Sequence, residues 1–449
     1  MGDGSTRRDA ARTTKHDEAP RDAEQFDLFG APLPEPAAGP TADDAAPATA
    51  GRSDDVDDIP AGSSPPPALS SHPAPAENEA ASPASLWGDE ALPPPPASAA
   101  SGTAAGQPAA APRRSRKRGV ARAAISDEVA ATAAALPPNV RLGTSTWSFP
   151  GWNGIVYGDD YSAQKLARDG LDAYGAHPLL KSVSIDRSFY APLSVAEYLR
   201  YAQQVPDDFR FVVKAPASVT DAVVRGPRGE PAGPNPAFLD ARIATDDFVR
   251  PCLDGLGRKA GALVFQFSPL PDALLADPAA LIERLTAFFA ALPPLPSPSA
   301  ESGEADGPRY AIEIRDASLL TPRFIRALAA ARVRYCVGLH ARMPDLLRQA
   351  AALALLDGDV PGPLVVRWSL HGGFKYEQAK AKYDPFDRLV DEDPQTRHAL
   401  ADLAARYVLA GQPVLITINN KAEGSAPLSC IELARAISAA IERLRADPA

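Results

Sequence analysis

Cysteine and long apolar runs are both scarce in this chain of 449 residues. The cysteines (Cys252, Cys336 and Cys430) are far apart and show no metal-ligand spacing, so we expect neither a disulfide framework nor a metal site. No run approaches the ~18 apolar residues of a membrane-spanning helix, and nothing near the N-terminus resembles a secretory signal. These absences favour a cytoplasmic protein without membrane association, metal or other cofactor.

Several catalytic signatures are absent as well. No glycine-rich phosphate loop follows the first strand-like run, and no Gly-x-Ser-x-Gly nucleophile elbow occurs. Retaining glycosidases need two carboxyl groups about 5–5.5 Å apart. The candidate carboxylates Asp186, Glu313 and Asp316 follow only the second and fifth strand-like runs, which disfavours that reaction.

The N-terminal part of the chain has too few large apolar residues to form a core. Residues 1–110 are dominated by Ala, Pro, Ser, Gly and Asp and carry an excess of acidic residues, and a basic cluster follows at Arg113–Arg118. Such a composition cannot offset the entropy of ordering. We therefore predict a disordered tail over residues 1–135 and a folded domain over residues 136–446. Because that domain is nearly neutral, only the basic cluster points to nucleic acid, and weakly.

The folded part shows a regular alternation of strand and helix signals. Its apolar runs are separated by segments long enough for a helix, which is the pattern of a TIM-type (β/α)8 barrel in the α/β class. The runs are continuous rather than alternating, as expected for parallel strands covered on both faces. The predicted strands are Val140–Gly143, Ser182–Asp186, Phe209–Lys214, Ala262–Phe267, Tyr310–Arg315, Val333–Gly338, Leu364–Trp368 and Val414–Asn419.

Apolar residues at helical spacing predict a helix after most strands. The predicted helices are Ala163–Tyr174, Val195–Gln204, Phe238–Leu256, Pro278–Leu292, Arg323–Ala330, Asp345–Leu356, Gln395–Leu409 and Ile431–Leu444. Capping residues precede several of them, at Ser194, Asp277, Thr321 and Asp393. A Gly- and Pro-rich insertion, Arg225–Pro236, follows the third strand and is expected to lie over the catalytic rim.

Polar residues stand at the C-terminal ends of the strands, where the active site of such a barrel gathers. Glu313 and Arg315 are two residues apart, so both side chains should project to the same side of their strand. Two interpretations are open: an acid/base group beside an anion clamp, or a structural ion pair. The catalytic candidates are Glu313, His371 and Asp186. The substrate-binding candidates are Lys214, Arg315, Arg367, Asn419, Asn420, Trp147, Tyr190 and Gln266.

These candidates combine positive charge, neutral hydrogen-bonding groups and aromatic rings. They suit a small polar or anionic substrate, with phosphate, carboxylate and sugar groups all open. For each residue the alternative is structural: a solvated strand end for Lys214, turn chemistry for the two asparagines, and simple packing for the aromatic residues.

Seven ordered motifs resemble the YecE-like family, the proteins of domain of unknown function 72 (DUF72). They are Gly143–Phe149 with Trp152, Gly154 and Tyr157; Ser188–Tyr190; Phe209–Phe211 with Lys214 and Pro216; Leu263–Phe267; Ile312–Arg315; Leu370–Gly372; and Ile418–Asn420. The resemblance spans about residues 139–445. It implies a TIM-type barrel and no established activity.

Three rim positions depart from the family pattern. Ser184–Arg187 stands where the family has Glu-Ile-Asn-Ser, and Asp316 and Leu319 stand where it has His and Trp. The Leu370–Gly372 motif is displaced from Arg367. The altered rim is expected to bind a variant ligand or to have lost an ancestral activity.

One further signal lies in the predicted tail. Gln25–Phe29, with Phe26, Leu28 and Phe29 as apolar anchors, resembles the pentapeptide by which bacterial replication and repair proteins dock onto the sliding clamp. Two functions therefore stay open. The first is an enzyme acting on a small polar or anionic substrate at the rim. The second is a non-enzymatic or accessory module that its tail recruits to the clamp or another DNA-associated partner.

Overall fold

The computed structural model describes residues 119–226, 230–296, 307–340, 343–358, 361–372 and 376–446, with the backbone alone at residues 376 and 377. The docking pentapeptide Gln25–Phe29 and the basic cluster Arg113–Arg118 lie outside these ranges, as does most of the predicted tail. Across the described ranges, no helix combines the length and apolar character needed to cross a lipid bilayer.

The core of the fold is a closed parallel barrel. The strands are β1 (Val140–Thr144), β2 (Leu180–Ile185), β3 (Arg210–Lys214), β4 (Val223–Arg225), β5 (Pro231–Pro234), β6 (Ala260–Gln266), β7 (Arg309–Glu313), β8 (Arg334–Leu339), β9 (Leu364–Trp368) and β10 (Val414–Ile418). Eight of them close in the order β1-β10-β9-β8-β7-β6-β3-β2, while β4 and β5 pair as a separate antiparallel hairpin. The predicted (β/α)8 barrel is therefore confirmed, with strand bounds that agree to within two residues.

Helices surround the barrel. They are α1 (Asp127–Ala135), α2 (Ala163–Asp169), α3 (Leu171–Gly175), α4 (Val195–Ala202), α5 (Ala217–Thr220), α6 (Ala241–Ala244), α7 (Arg250–Leu256), α8 (Asp272–Leu275), α9 (Pro278–Ala291), α10 (Pro322–Ala330), α11 (Leu346–Asp357), α12 (Tyr376–Tyr383), α13 (Pro394–Leu409) and α14 (Ala426–Ala446). The predicted caps are all made: the side chains of Ser194, Asp277, Thr321 and Asp393 each accept a backbone N–H from the first turn.

Two predicted helices are interrupted. The segment predicted as one helix over Ala163–Tyr174 divides at Gly170 into α2 and α3. The segment predicted over Phe238–Leu256 divides into α6, a π-helical turn (Thr245–Val249) and α7. Pro251 lies in the first turn of α7 and has no N–H to donate, so the regular hydrogen-bond ladder cannot run through this point.

Residues 119–135, which the sequence analysis placed in the tail, pack against the barrel. Ser126 caps α1, and Glu128 on this helix forms an ion pair with Arg435 of α14 at 2.7 Å. Upstream, the backbone N–H of Ala123 donates to the oxygen of Val156 at 3.0 Å. Disorder was predicted here because the segment is rich in Ala and poor in large apolar residues. The segment nevertheless forms α1, a surface helix with no fully buried residue.

Two apolar layers hold the fold together. The larger one fills the space between the barrel and the helices, and the smaller one lies inside the barrel. The inner layer consists of Val212, Ala262, Val264, Ala311, Cys336, Val365 and Leu415. The barrel interior is therefore packed below its mouth, which confines any ligand to the C-terminal end of the strands.

Candidate active site at the barrel mouth

The polar residues of the mouth follow from the two-residue repeat of the strands. Side chains at positions i and i+2 of a strand point to the same face. Val264, Ala311 and Val365 belong to the inner apolar layer. Gln266 and Arg367, two residues further along β6 and β9, therefore lie directly above that layer. The same step leads from Ala311 to Glu313 on β7 and from Val212 to Lys214 on β3.

Glu313 is the centre of a buried ion network. Its side chain is 0 % exposed; Oε1 lies 2.8 Å from Arg315 Nη2, and Oε2 accepts a 2.7 Å hydrogen bond from Arg367 Nη1. Arg367 Nη2 donates to both carboxylate oxygens of Asp186, at 3.1 and 3.0 Å. Gln266 Oε1 accepts from Arg367 Nη1 at 3.0 Å and from Arg315 Nη2 at 3.2 Å. The structure thus joins five predicted site residues from four strand ends.

The network keeps its charges. Burial by itself would raise the pKa of Glu313, but Arg367 and Arg315 together outweigh burial and leave this pKa below its ordinary value. Burial acts to lower the pKa of Arg367, whereas Asp186 and Glu313 raise it well above normal. Glu313 is therefore ionised and held by two guanidinium groups, so it is not a free proton acceptor in this arrangement.

Lys214 is the basic group of the mouth. It is buried, and its Nζ lies 3.5 Å from the centre of the Phe189 ring. Burial lowers the pKa of Lys214 to about 7, Arg367 and Arg315 act in the same direction, and Asp186 and Glu313 act against it. A lysine with this pKa is neutral in a large fraction of molecules near pH 7, and a neutral amine is both a base and a nucleophile.

Glycine and cysteine on β8 complete the floor of the site. A Cβ added at Gly338 would lie 3.3 Å from Glu313 Oε1, so the missing side chain leaves room for that carboxylate. Cys336 lies below, in the inner layer, and burial raises its pKa well above the ordinary value. Its thiol therefore stays protonated and is a poor nucleophile.

Two of the residues that depart from the family pattern at β2, Ser184 and Asp186, belong to the network. Ser184 Oγ donates a 2.5 Å hydrogen bond to Asp186 Oδ1 and so orients the carboxylate that pairs with Arg367. Arg187 donates instead to Tyr201 and Glu197 of α4.

The two predicted asparagines mainly hold local structure. Asn419 Nδ2 donates to Ser145 Oγ at 2.8 Å, and its Oδ1 accepts from the Lys421 N–H. Asn420 Oδ1 accepts from Trp152 Nε1 at 3.2 Å and from the Ala426 N–H at 2.8 Å. These contacts tie the end of β10 to the first βα loop and to the start of α14.

The remaining predicted residues differ in exposure. Trp147 is buried, donates from Nε1 to the Ala167 oxygen and packs edge-on against Tyr201. Tyr190 is 55 % exposed and stands beside Phe189. His371 is partly buried, with Nδ1 2.7 Å from the oxygen of Gly372. Tyr190 is thus the aromatic candidate with a solvent-accessible ring.

Asp221 was missed by the sequence analysis. It follows α5 on the loop that leads from β3 to the hairpin, and it is buried. Its Oδ2 lies 3.5 Å from Arg225 Nε. Burial raises the pKa of Asp221, although Ser268, Arg225 and Lys214 act in the opposite direction. A strand-end criterion could not find this residue because it lies within a loop.

Over the ranges that the structure describes, no group of three or more His, Cys, Asp or Glu side chains could hold a metal ion.

A family model described as "Protein of unknown function DUF72" matches residues 141–449. The chain belongs to the DUF72 family. This confirms the resemblance drawn from the strand-end motifs, and it places the whole barrel, with its ion network, within the DUF72 match. None of the curated proteins matches the chain.

Solved structures of two DUF72 proteins are similar to this chain. One, from Thermotoga maritima MSB8, has 17 % sequence identity and a TM-score of 0.45, covering 66 % of this chain and 98 % of its own. The other, from Enterococcus faecalis V583, has 16 % identity and a TM-score of 0.43, covering 66 % of this chain and 95 % of its own. A monooxygenase from Streptomyces bottropensis is also similar, at 13 % identity and a TM-score of 0.33, covering 68 % and 99 %.

Proposed function

We propose that the protein is an enzyme that acts on a small polar compound at the barrel mouth and uses Lys214 as a neutral amine. The observation that supports this most is the position of Lys214, buried at the end of β3 within the electrostatic reach of two carboxylates and two guanidinium groups. Burial disfavours a charged amine. Strongly perturbed groups of this kind cluster at functional sites.

Both arginines of the mouth already pair with carboxylates, which limits the kinds of substrate that the mouth can bind. Arg367 already binds Asp186 and Glu313, and Arg315 already lies against Glu313. The mouth is therefore not an open anion clamp. It suits a compound with polar groups and at most a single negative charge better than a phosphate ester.

The exposure of the side chains at the mouth indicates from which side a substrate can reach the site. Arg367, Glu313, Gln266 and Lys214 are all buried, whereas the Asp186 side chain is 24 % exposed. Asp186 follows β2, and the exposed Tyr190 stands shortly after it on the same loop. We infer that the substrate enters from the β2 side, passes Tyr190 and reaches Lys214.

The enzyme proposal is tested with a mixture of metabolites, because no single substrate is presumed. Purified protein is incubated with a small-molecule extract, and the compounds consumed or formed are found by untargeted mass spectrometry. Wild type should convert at least one polar compound that Lys214→Met leaves unchanged. Lys181→Met, which removes a surface lysine paired with Asp208, should behave as wild type. If wild type and Lys214→Met leave identical mixtures, and no polar metabolite raises the melting temperature, the proposal is wrong.

A further inference from the structure

A non-helical segment before α1, residues 119–126, lies outside the DUF72 match and is nevertheless hydrogen-bonded to the barrel domain. It pairs in antiparallel fashion with residues 156–158 of the first βα loop, the loop that follows β1. The backbone hydrogen bonds of this pairing run from the Ala123 N–H to the Val156 oxygen at 3.0 Å and from the Gly158 N–H to the Ala121 oxygen at 2.9 Å. The segment therefore adds a short strand-like edge to that loop.

The segment has few buried contacts of its own. Ala123 is its one fully buried residue within the described part of the chain. Arg122 forms an ion pair with Asp172 at 3.1 Å, but the two side chains are 60 % and 62 % exposed, and such pairs contribute little. Exposed backbone hydrogen bonds with little apolar burial are typical of regions that open locally while the rest of a protein stays folded.

Tyr157 connects this pairing to the barrel mouth. Its backbone is bridged to Arg122, its side chain is buried, and its hydroxyl donates a hydrogen bond to the oxygen of Trp147. Trp147, a predicted site residue on the same loop, packs edge-on against Tyr201 of α4. Because one residue carries both contacts, a shift of the backbone at Tyr157 is passed directly to Trp147.

We propose that residues 119–126 are a releasable strap that positions Trp147 at the barrel mouth through Tyr157. With the strap attached, the first βα loop is held in the conformation described above. With the strap released, that loop and Trp147 move while the barrel stays folded. The strap concerns the conformation of the loop, so it does not depend on whether the protein converts a substrate.

Gly158 offers a selective way to release the strap. A Cβ added at Gly158 would lie 2.4 Å from the backbone oxygen of Arg122, and its next nearest atoms, at 3.1 and 3.4 Å, also belong to the strap. A backbone oxygen cannot move away alone, so Gly158→Ala should separate the strap from the loop. Gly119→Ala is the matched control, because a Cβ at Gly119 meets no atom within 4 Å.

Hydrogen–deuterium exchange of the full-length protein, followed by peptide mass spectrometry, measures the release. In Gly158→Ala, peptides from residues 119–126 and 144–158 should exchange about tenfold faster than in wild type, since two backbone hydrogen bonds of ordinary net strength are lost. Peptides from β6 and β7 should exchange at the wild-type rate. Gly119→Ala should match wild type in every peptide.

Tyr157→Phe tests the connection between the strap and Trp147. Phenylalanine keeps the ring but removes the hydroxyl that holds the Trp147 oxygen. Exchange should therefore be faster over residues 144–150, while residues 119–126 stay as protected as in wild type. Adding Gly158→Ala to this variant should release the strap with little further effect on residues 144–150, because the connection is already cut.

Each of four other results would overturn the proposal. Unchanged exchange over residues 119–126 in Gly158→Ala shows that the pairing is not made in solution. Faster exchange there without a change over residues 144–150 shows that the strap does not position Trp147. A full additional effect of Gly158→Ala in the Tyr157→Phe background shows that the effect does not pass through Tyr157. Faster exchange in all barrel strands of Gly158→Ala shows that the segment unfolds only with the whole domain and is not releasable.

Discussion

Replacing Arg367 by methionine is expected to be among the most destabilising single changes at the mouth. Methionine keeps an unbranched chain but removes every hydrogen bond of the guanidinium group, which reaches Gln266, Glu313 and Asp186. Glu313 would then keep its ion pair with Arg315. The Asp186 carboxylate is 24 % exposed and can turn to water, so most of the cost should come from the fully buried Glu313.

The magnitude follows from the burial of the pair. Removing one partner of a buried ion pair costs about 3–5 kcal/mol, since the other charge stays in a medium that solvates it poorly. Because Arg315 remains beside Glu313, we expect the lower end, about 3 kcal/mol. At roughly 2 °C per kcal/mol for a domain of this size, the melting temperature should fall by about 6 °C.

Urea unfolding gives the free energy of unfolding of Arg367→Met. Two further variants test whether its loss of stability comes from the buried ion pair. Arg323→Met removes an exposed pair with Glu283, whose side chains are 58 % and 76 % exposed, and should cost less than about 1 kcal/mol. Adding Glu313→Gln to Arg367→Met removes the stranded charge, so the double variant should be more stable than the sum of the two single effects implies. If Arg367→Met costs no more than Arg323→Met, the network does not hold the mouth together as described.

Three further predictions concern pH, the first helix and the tail. In the folded protein the pKa of Lys214 is about 7, below its ordinary value of 10.5. Between these two pH values the unfolded chain therefore binds one more proton at Lys214 than the folded protein does. The difference in free energy of unfolding between wild type and Lys214→Met, measured with urea, should therefore be constant below about pH 7 and shift in favour of wild type from about pH 7 to about pH 10. A difference that stays constant over the whole range would contradict the burial of a titrating amine. Ser126→Ala should lower the free energy of unfolding by about 1 kcal/mol and speed amide hydrogen exchange in α1. Unchanged exchange would show that the cap is not formed in solution. Replacing Phe26, Leu28 and Phe29 by alanine should abolish binding to the bacterial sliding clamp without changing the melting temperature, and failure of the wild-type chain to bind removes that partner.

Local signals predicted most of the elements correctly. The strands were found because both of their faces are covered, which makes the apolar runs continuous. The caps at Ser194 and Asp277 were found because a hydrogen bond to the first turn depends only on residues three apart. The break at Gly170 and the π-helical turn over Thr245–Val249 were not found, because apolar spacing continues through both of them.

The site was predictable only as a set of strand ends. Glu313, Gln266 and Arg367 were expected at the mouth from their positions alone, and the structure brings them into contact. Which atoms pair was not predictable, because it depends on the lengths and orientations of side chains from β2, β6, β7 and β9. Asn420 shows the opposite case: it stands at a strand end, yet its side chain holds Trp152 and the start of α14.

The sequence by itself determined the barrel, its family and the end of the barrel at which chemistry would occur, since these depend on periodicity and on short motifs. Only the tertiary structure decided which charges neutralise one another. Arg367 reaches Asp186 from far along the chain and also pairs with Glu313, so a larger ion network surrounds the Glu313–Arg315 pair, for which the sequence had left an anion clamp and a structural ion pair open. The folded structure likewise buries Lys214 and Asp221, and burial is what moves the pKa of each group. Desolvation depends on all the residues packed around a side chain. Many of these are distant in the sequence, so a local stretch of sequence cannot predict it.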